Sequence, residues 1–173
     1  VAVVVVAATG AEVTITPEAG GMLAAPADGL LVRVPPGAVA APTRFRLQPV
    51  AEPSGLPAEF VFAWEITATD LATGAPVIGF TAPLSLTVRY TAARLRGRAE
   101  ATVRLAQFDR AQQTITPLAS AVDYDNRQLT AELTATGLYG LAADEPKEIY
   151  FQPRIEAAKT ALLTGDSSFS YSL

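Results

Sequence analysis

Apolar and polar residues alternate over seven stretches of the chain. The apolar positions are Val13 and Ile15; Leu30, Val32 and Val34; Phe45 and Leu47; Phe60, Phe62, Trp64 and Ile66; Leu84, Leu86, Val88 and Tyr90; Val103 and Leu105; and Leu129, Ala131 and Leu133. A period of two places each apolar set on one face of a β-strand. Burial of one face only is typical of antiparallel sheets, so the pattern predicts two sheets packed face to face. It also predicts a core that includes Trp64, Phe62, Leu86, Val88, Val103, Leu105 and Leu133.

Turn residues separate these stretches at short intervals. They are Gly20-Gly21, Pro35-Pro36-Gly37, Pro53-Ser54-Gly55, Thr73-Gly74 and Asp125-Asn126. Many short strands with regular turns indicate a sandwich or barrel. We therefore predict an all-β fold, an antiparallel β-sandwich over residues 11–143. A C-terminal region, residues 144–173, follows as a linker, a short helix starting near Pro153 and a terminal strand.

Both ends of the chain carry apolar segments that a sandwich over residues 11–143 does not need. We predict an N-terminal strand extension over residues 1–10. Its residues 1–8 are apolar and rich in β-branched valine, which favours a strand rather than the end of a signal peptide. Residues 167–173 alternate again. An unpaired apolar strand exposes open hydrogen bonds, so we expect these segments to pair with a sheet edge, either of their own domain or of another copy. The candidate assembly residues are Val1, Val3, Val4, Val5, Val6, Phe169, Tyr171 and Leu173.

One ordered set of motifs resembles a known family. Gly20-Gly21 precedes a strand that ends in Pro35-Pro36-Gly37-Ala38, and later come Gly55-Leu56-Pro57-Ala58 and residues 83–90, PLSLTVRY. Over residues 11–143 the chain is similar to the β-sandwich domain shared by zonula-occludens proteins, netrin receptors and ankyrins, and closest to its secreted bacterial versions. The resemblance implies a non-enzymatic structural or interaction module, outside the cell or on the surface of a bacterium.

Two departures from the family pattern limit what the resemblance implies. The aromatic hairpin common in bacterial relatives is replaced by Gln107-Phe108-Asp109-Arg110. Self-cleaving relatives carry His-Phe-Ser near the end of the domain, where this chain has Gly137-Leu138-Tyr139-Gly140. Because the nucleophile and its histidine are both missing, we do not expect autoproteolysis.

Composition narrows the possible functions further. The chain has 173 residues, no Cys and no His, which excludes thiol catalysis, Ser-His triads and zinc sites built on these ligands. A net charge of −4 argues against binding to a nucleic-acid backbone. The longest apolar run, residues 1–8, is far shorter than the ~20 residues of a membrane-spanning helix. We expect no enzyme, no cofactor, no nucleic-acid partner and no membrane span.

Three groups of residues have both a functional and a structural interpretation. Asp123 and Asp125 could begin a calcium site or simply lead into a turn. Arg94, Arg96, Arg98 and Arg104 could bind a phosphate or acidic glycan, or form a solvated loop that pairs with acids such as Glu100. Trp64 with Phe60 and Phe62 could form a carbohydrate platform, but their uniform spacing of two favours the core.

These observations predict a structural subunit of an extracellular assembly (a filament, sheath or surface layer) that polymerises by strand addition between copies of the chain. The alternative is an adhesive or glycan-binding module of a larger cell-envelope protein. Loops rich in Ala, Pro, Gly and Thr, with few aromatic residues, favour the subunit over the binding module.

Overall fold

The computed structural model describes residues 3–5, 10–50 and 56–145, which form twelve strands. The strands are β1 (Val3–Val5), β2 (Ala11–Ile15), β3 (Gly21–Ala25), β4 (Leu30–Val34), β5 (Thr43–Val50), β6 (Phe60–Asp70), β7 (Gly79–Arg89), β8 (Arg104–Asp109), β9 (Thr114–Pro117), β10 (Ser120–Asp123), β11 (Gln128–Ala135) and β12 (Gly137–Ala142). Two short 3-10 turns, Pro26–Asp28 and Glu100–Thr102, complete the regular structure of these residues.

The strands form two six-stranded sheets that pack together as a sandwich. Sheet A has the order β1-β3-β4-β7-β11-β10, and sheet B the order β2-β5-β6-β12-β8-β9. All pairs are antiparallel except β1 with β3, which is parallel. The predicted all-β sandwich is confirmed. The predicted C-terminal helix and terminal strand lie outside the described residues.

The core between the sheets is formed by the alternating residues. Of the seven predicted core residues, Trp64, Leu86, Val88, Val103, Leu105 and Leu133 are at most 5% exposed. Phe62 is half-buried: its ring tilts against Trp64, with centroids 5.5 Å apart, and the Arg94 guanidinium lies 4.3 Å from the ring centroid. The core interpretation of Trp64 is therefore confirmed.

A β-bulge in β6 changes the face on which Phe60 lies. Leu141 of β12 pairs with Phe62, but the next residue, Ala142, pairs with Phe60, so Val61 is an extra residue in β6. An extra residue reverses the alternation beyond it. Phe60 therefore belongs to a second apolar cluster on the outward face of sheet B, and the prediction of one common face for Phe60, Phe62 and Trp64 is wrong for Phe60.

The Pro35-Pro36-Gly37-Ala38 motif ends β4 and turns the chain. Gly37 has a φ of 78°, a conformation that a residue with a Cβ rarely adopts. Its N–H donates to the Pro17 carbonyl at 2.7 Å, which ties the turn to the loop after β2. The motif is a strand terminator, and its role here is structural.

Tyr139 of β12 is buried in the core and fixes the β11–β12 connection. Its hydroxyl donates to the Ala135 carbonyl at 2.6 Å, and its side chain is 2% exposed. A tyrosine that bonds to the backbone a few residues upstream also occurs at the corners of other β-sandwiches. Burial raises the pKa of Tyr139 to about 12, because the ionised phenolate loses its hydration.

We expect Tyr139→Phe to change the response of stability to alkaline pH. The raised pKa stabilises the folded state fully below the unfolded value of 10.0, and this contribution is lost as pH rises from there towards about 12. The variant should lose about 0.5–1.5 kcal/mol near neutral pH, for the missing hydrogen bond, and should show a flatter pH dependence between 10 and 12. Urea unfolding across this range measures both effects. Tyr124→Phe, at a half-exposed tyrosine, is the control, and an identical profile for the two variants would contradict the prediction.

Candidate functional site

The described N-terminal strand lies on the edge of sheet A. In β1, Val3 is the register partner of Met22, Val4 of Leu23 and Val5 of Ala24. The structure thus brings three predicted assembly residues, Val3, Val4 and Val5, to one edge within a single chain. The other predicted assembly residues, which are Val1, Val6, Phe169, Tyr171 and Leu173, lie outside the described residues.

The acceptor of β1 is β3, a strand of small and flexible residues. Gly21, Leu23 and Ala25 are buried, while Met22 and Ala24 are half-buried. Gly21 packs tightly against β2, because a Cβ there would lie 3.0 Å from two atoms of the Ile15 side chain. Sequence reasoning identified Gly20-Gly21 only as a turn and missed β3, since its Gly and Ala residues have weak β-propensity.

The other three edges of the described sandwich carry features that discourage further pairing. Strand β9 ends in Pro117, which has no N–H to donate. Strand β2 carries Glu12, whose carboxylate pairs with Arg46 at 3.1 Å and Arg44 at 3.7 Å. Strand β10 has four residues and runs into a turn at Asp123. Proline, charge and short length are the usual protections of a sheet edge.

The arginine-rich loop after β7 is held by acids and carbonyls of its own chain. Arg94 contacts the carbonyl and the carboxylate of Asp28, Arg104 pairs with Asp144 at 2.8 Å, and Arg98 donates to the Ala143 carbonyl at 2.8 Å. The predicted acid, Glu100, pairs instead with Arg127 at 3.0 Å, outside the cluster. These contacts favour the structural interpretation of the cluster over an anion site.

Asp123 caps a turn. Its carboxylate accepts hydrogen bonds from the Asn126 backbone N–H at 3.0 Å and from the Asn126 side-chain amide at 2.7 Å. Both bonds stabilise the charged form and hold the pKa of Asp123 below its usual range. No group of three or more acidic, Cys or His side chains suited to a metal occurs among the described residues. We therefore do not propose the calcium site.

Comparison with known proteins leaves the family open. No family model matches the chain, and no curated protein matches it. The resemblance to the β-sandwich domain of zonula-occludens proteins, netrin receptors and ankyrins thus remains a prediction. Among the residues that the structure describes, no helix is long and apolar enough to cross a membrane.

Proposed function

We propose that the chain is a non-enzymatic structural subunit of an extracellular assembly, a filament, sheath or surface layer, that polymerises by strand addition between copies. The observation that carries the proposal is the pairing of β1 with β3. This pair is parallel and lies at the edge of sheet A, and its described part covers three residues, Val3–Val5. The acceptor edge is therefore suited to a short apolar strand.

The free energies of the two arrangements explain how such an edge can support assembly. Val3–Val5 of a second copy would make the same backbone hydrogen bonds with β3 as the chain's own strand does. Each such bond contributes only about 0.5–1.5 kcal/mol, so a three-residue strand is held weakly in place. The exchange then costs mainly the entropy of association, which falls in importance as protein concentration rises. Strand exchange of this kind is a common route to oligomers.

The direction of exchange determines the type of assembly. The donor strand and its acceptor edge are different surfaces of the molecule, so a copy can donate to one neighbour and accept from another. Such a head-to-tail contact gives a ring if the rotation closes, and otherwise a fibre. The proposed location, outside the cell or on a bacterial surface, rests on the family resemblance.

Removal of residues 1–8 tests the proposal. We expect the intact chain, whose monomer mass is 18.1 kDa, to form large particles by light scattering, and the deletion variant to approach its own, slightly smaller, monomer mass. Val4→Pro is a matched variant of full length, because proline fixes φ at about −65°, away from the extended conformation of a strand, and it should weaken assembly in the same direction. An intact chain that stays monomeric at all concentrations, or a deletion variant that assembles as the parent does, would refute the proposal.

Disulfide trapping distinguishes pairing within a chain from pairing between chains. The chain has no Cys, so Val3→Cys with Met22→Cys introduces a single register pair at the edge. Exchange between copies should give a ladder of linked chains on a non-reducing gel, and pairing within a chain only linked monomers. Val3→Cys with Arg33→Cys is the control, because Arg33 lies one strand further in, beside Met22. Linked monomers alone, from protein that scatters as particles, would show that assembly uses another contact.

A further inference from the structure

The outward face of sheet B carries an apolar cluster that is separate from the core between the sheets. We call it the outer cluster. Its members are Phe60, Ala63, Ala106, Phe108, Leu138 and Ala142, and none is more than 6% exposed. Gly140 lies at its centre, paired with Ala63 on one side and Ala106 on the other. In β12 the residues on this face alternate with the core residues Tyr139 and Leu141, so the cluster faces away from sheet A.

The outward face of sheet A shows what a solvated sheet surface looks like in this protein. There Arg33, Ser85 and Glu132 are exposed, and Thr87 and Thr130 are half-buried. One polar face and one apolar face is the normal pattern for an antiparallel sheet in water. The outward face of sheet B is polar at β2 and β5, where Glu12, Arg44 and Arg46 are exposed, but it is apolar around the outer cluster, and that part needs a covering layer.

The described residues supply only part of that layer. The apolar side chains packed against the outer cluster are Val50, Leu56 and Ile115. Val50 and Ile115 belong to β5 and β9, within the same sheet, and Leu56 lies just before β6. Leu138 is four residues along β12 from Ala142, or about 14 Å. The chain between Val50 and Leu56 has five residues, so it can extend at most about 10 Å from these two ends and return. This reach is shorter than the distance from Ala142 to Leu138, so these five residues cannot cover the whole cluster.

We infer that residues 146–163 of the same chain cover the outer cluster. The chain leaves β12 at the cluster itself, because Ala142 pairs with Phe60 and the Ala143 N–H donates to the Glu59 carbonyl at 3.0 Å. Its exit is held by Arg98, which donates to the Ala143 carbonyl, and by the Ala99 N–H, which donates to the Asp144 carbonyl at 3.1 Å.

The chemistry of this segment fits the cluster. Its large apolar residues are Ile149, Tyr150, Phe151, Ile155, Leu162 and Leu163. A helix from Pro153 would place Ile155, Ala158 and Leu162 on one face, and an apolar stripe of this kind is what a surface helix presents to a sheet. This role concerns residues 146–163 and is independent of the strand exchange proposed for β1.

Cross-linking in the full chain tests the inference. Ile115→Cys is combined in turn with Ala158→Cys and Leu162→Cys, and isotopically light and heavy chains are mixed before oxidation. We expect a disulfide in at least one variant, and mass spectrometry should find it within light chains and within heavy chains. Arg33→Cys replaces Ile115→Cys in the control, because Arg33 lies on the outward face of sheet A. Mixed light–heavy links would show that a second copy covers the cluster and would overturn the inference.

A dye-binding measurement covers the case in which no disulfide forms. Ile155→Asp with Leu162→Asp should release the segment and raise the fluorescence of the apolar dye ANS severalfold, while the near-UV circular dichroism of the core is retained. Ala157→Asp with Thr160→Asp adds the same charges on the other side of the predicted helix and should leave dye binding near that of the parent. Equal dye binding by the two double variants, together with no disulfide, would overturn the inference.

Discussion

Replacing Trp64 with alanine is expected to lower the free energy of unfolding by ~3–5 kcal/mol. The side chain is fully buried between the two sheets and contacts the ring of Phe62. Its removal leaves a cavity that strands on both sides cannot fill without moving, since protein interiors are close-packed. A typical domain has only about 5–15 kcal/mol of stability, so the variant should be close to unfolding at ambient temperature. Trp64 is the chain's one tryptophan, so its replacement removes the usual fluorescence signal of unfolding. Urea unfolding is therefore followed by circular dichroism.

Trp64→Phe is the informative control. Within the described residues, Nε1 of Trp64 is buried without a hydrogen-bond partner. A buried unsatisfied donor costs about 1–3 kcal/mol, and phenylalanine removes that cost while it keeps part of the volume. We expect the phenylalanine variant to lose clearly less stability than the alanine variant. Equal losses of unfolding free energy in the two variants would mean that the packing of the indole, and not its unsatisfied N–H, determines the stability of both. An alanine variant as stable as the parent would contradict the burial of Trp64.

Strands in which apolar residues alternate with polar ones could be predicted from the sequence, and a strand without this alternation could not. Leu84, Leu86 and Val88 alternate with polar residues because β7 faces the core on one side only. Strand β12, between β6 and β8, has no such alternation, since five of its six residues are buried. The bulge at Val61 also left no mark on the pattern, because both Phe60 and Phe62 are aromatic.

The strand that pairs with β1 could also not be predicted from the sequence, but the physical reason is different. Strands joined by a tight turn are predictable as hairpins, but β1 and β3 are parallel and separated along the chain by β2. The valine-rich composition of residues 1–8 therefore indicates a strand without indicating its acceptor. The structure identifies Gly21–Ala25 as the acceptor through its register with β1.

Replacing Gly140 with alanine is expected to cost ~1–3 kcal/mol, although the change adds one methyl group. A Cβ at this position would overlap the ring of Phe60 and lie 2.9 Å from the Phe62 carbonyl oxygen. Phe60 is 6% exposed, and its ring is held on one side by Phe108, which it meets edge to face with centroids 6.3 Å apart. The carbonyl belongs to a strand that pairs with β12, so relief on that side would disturb the sheet. Thermal and urea unfolding of the full chain measure the effect.

A double-mutant cycle identifies the cause of that loss. Phe60→Leu removes the ring that the new methyl group would meet, so Gly140→Ala should cost much less in the Phe60→Leu background than in the parent. Gly79→Ala in β7 is the matched control, because a Cβ there would meet only the Thr134 carbonyl oxygen, at 3.7 Å. That variant should be near neutral in stability. If Gly140→Ala and Gly79→Ala have the same effect, the outer cluster is packed more loosely than its burial implies, and residues 146–163 would then have no tightly ordered surface to cover.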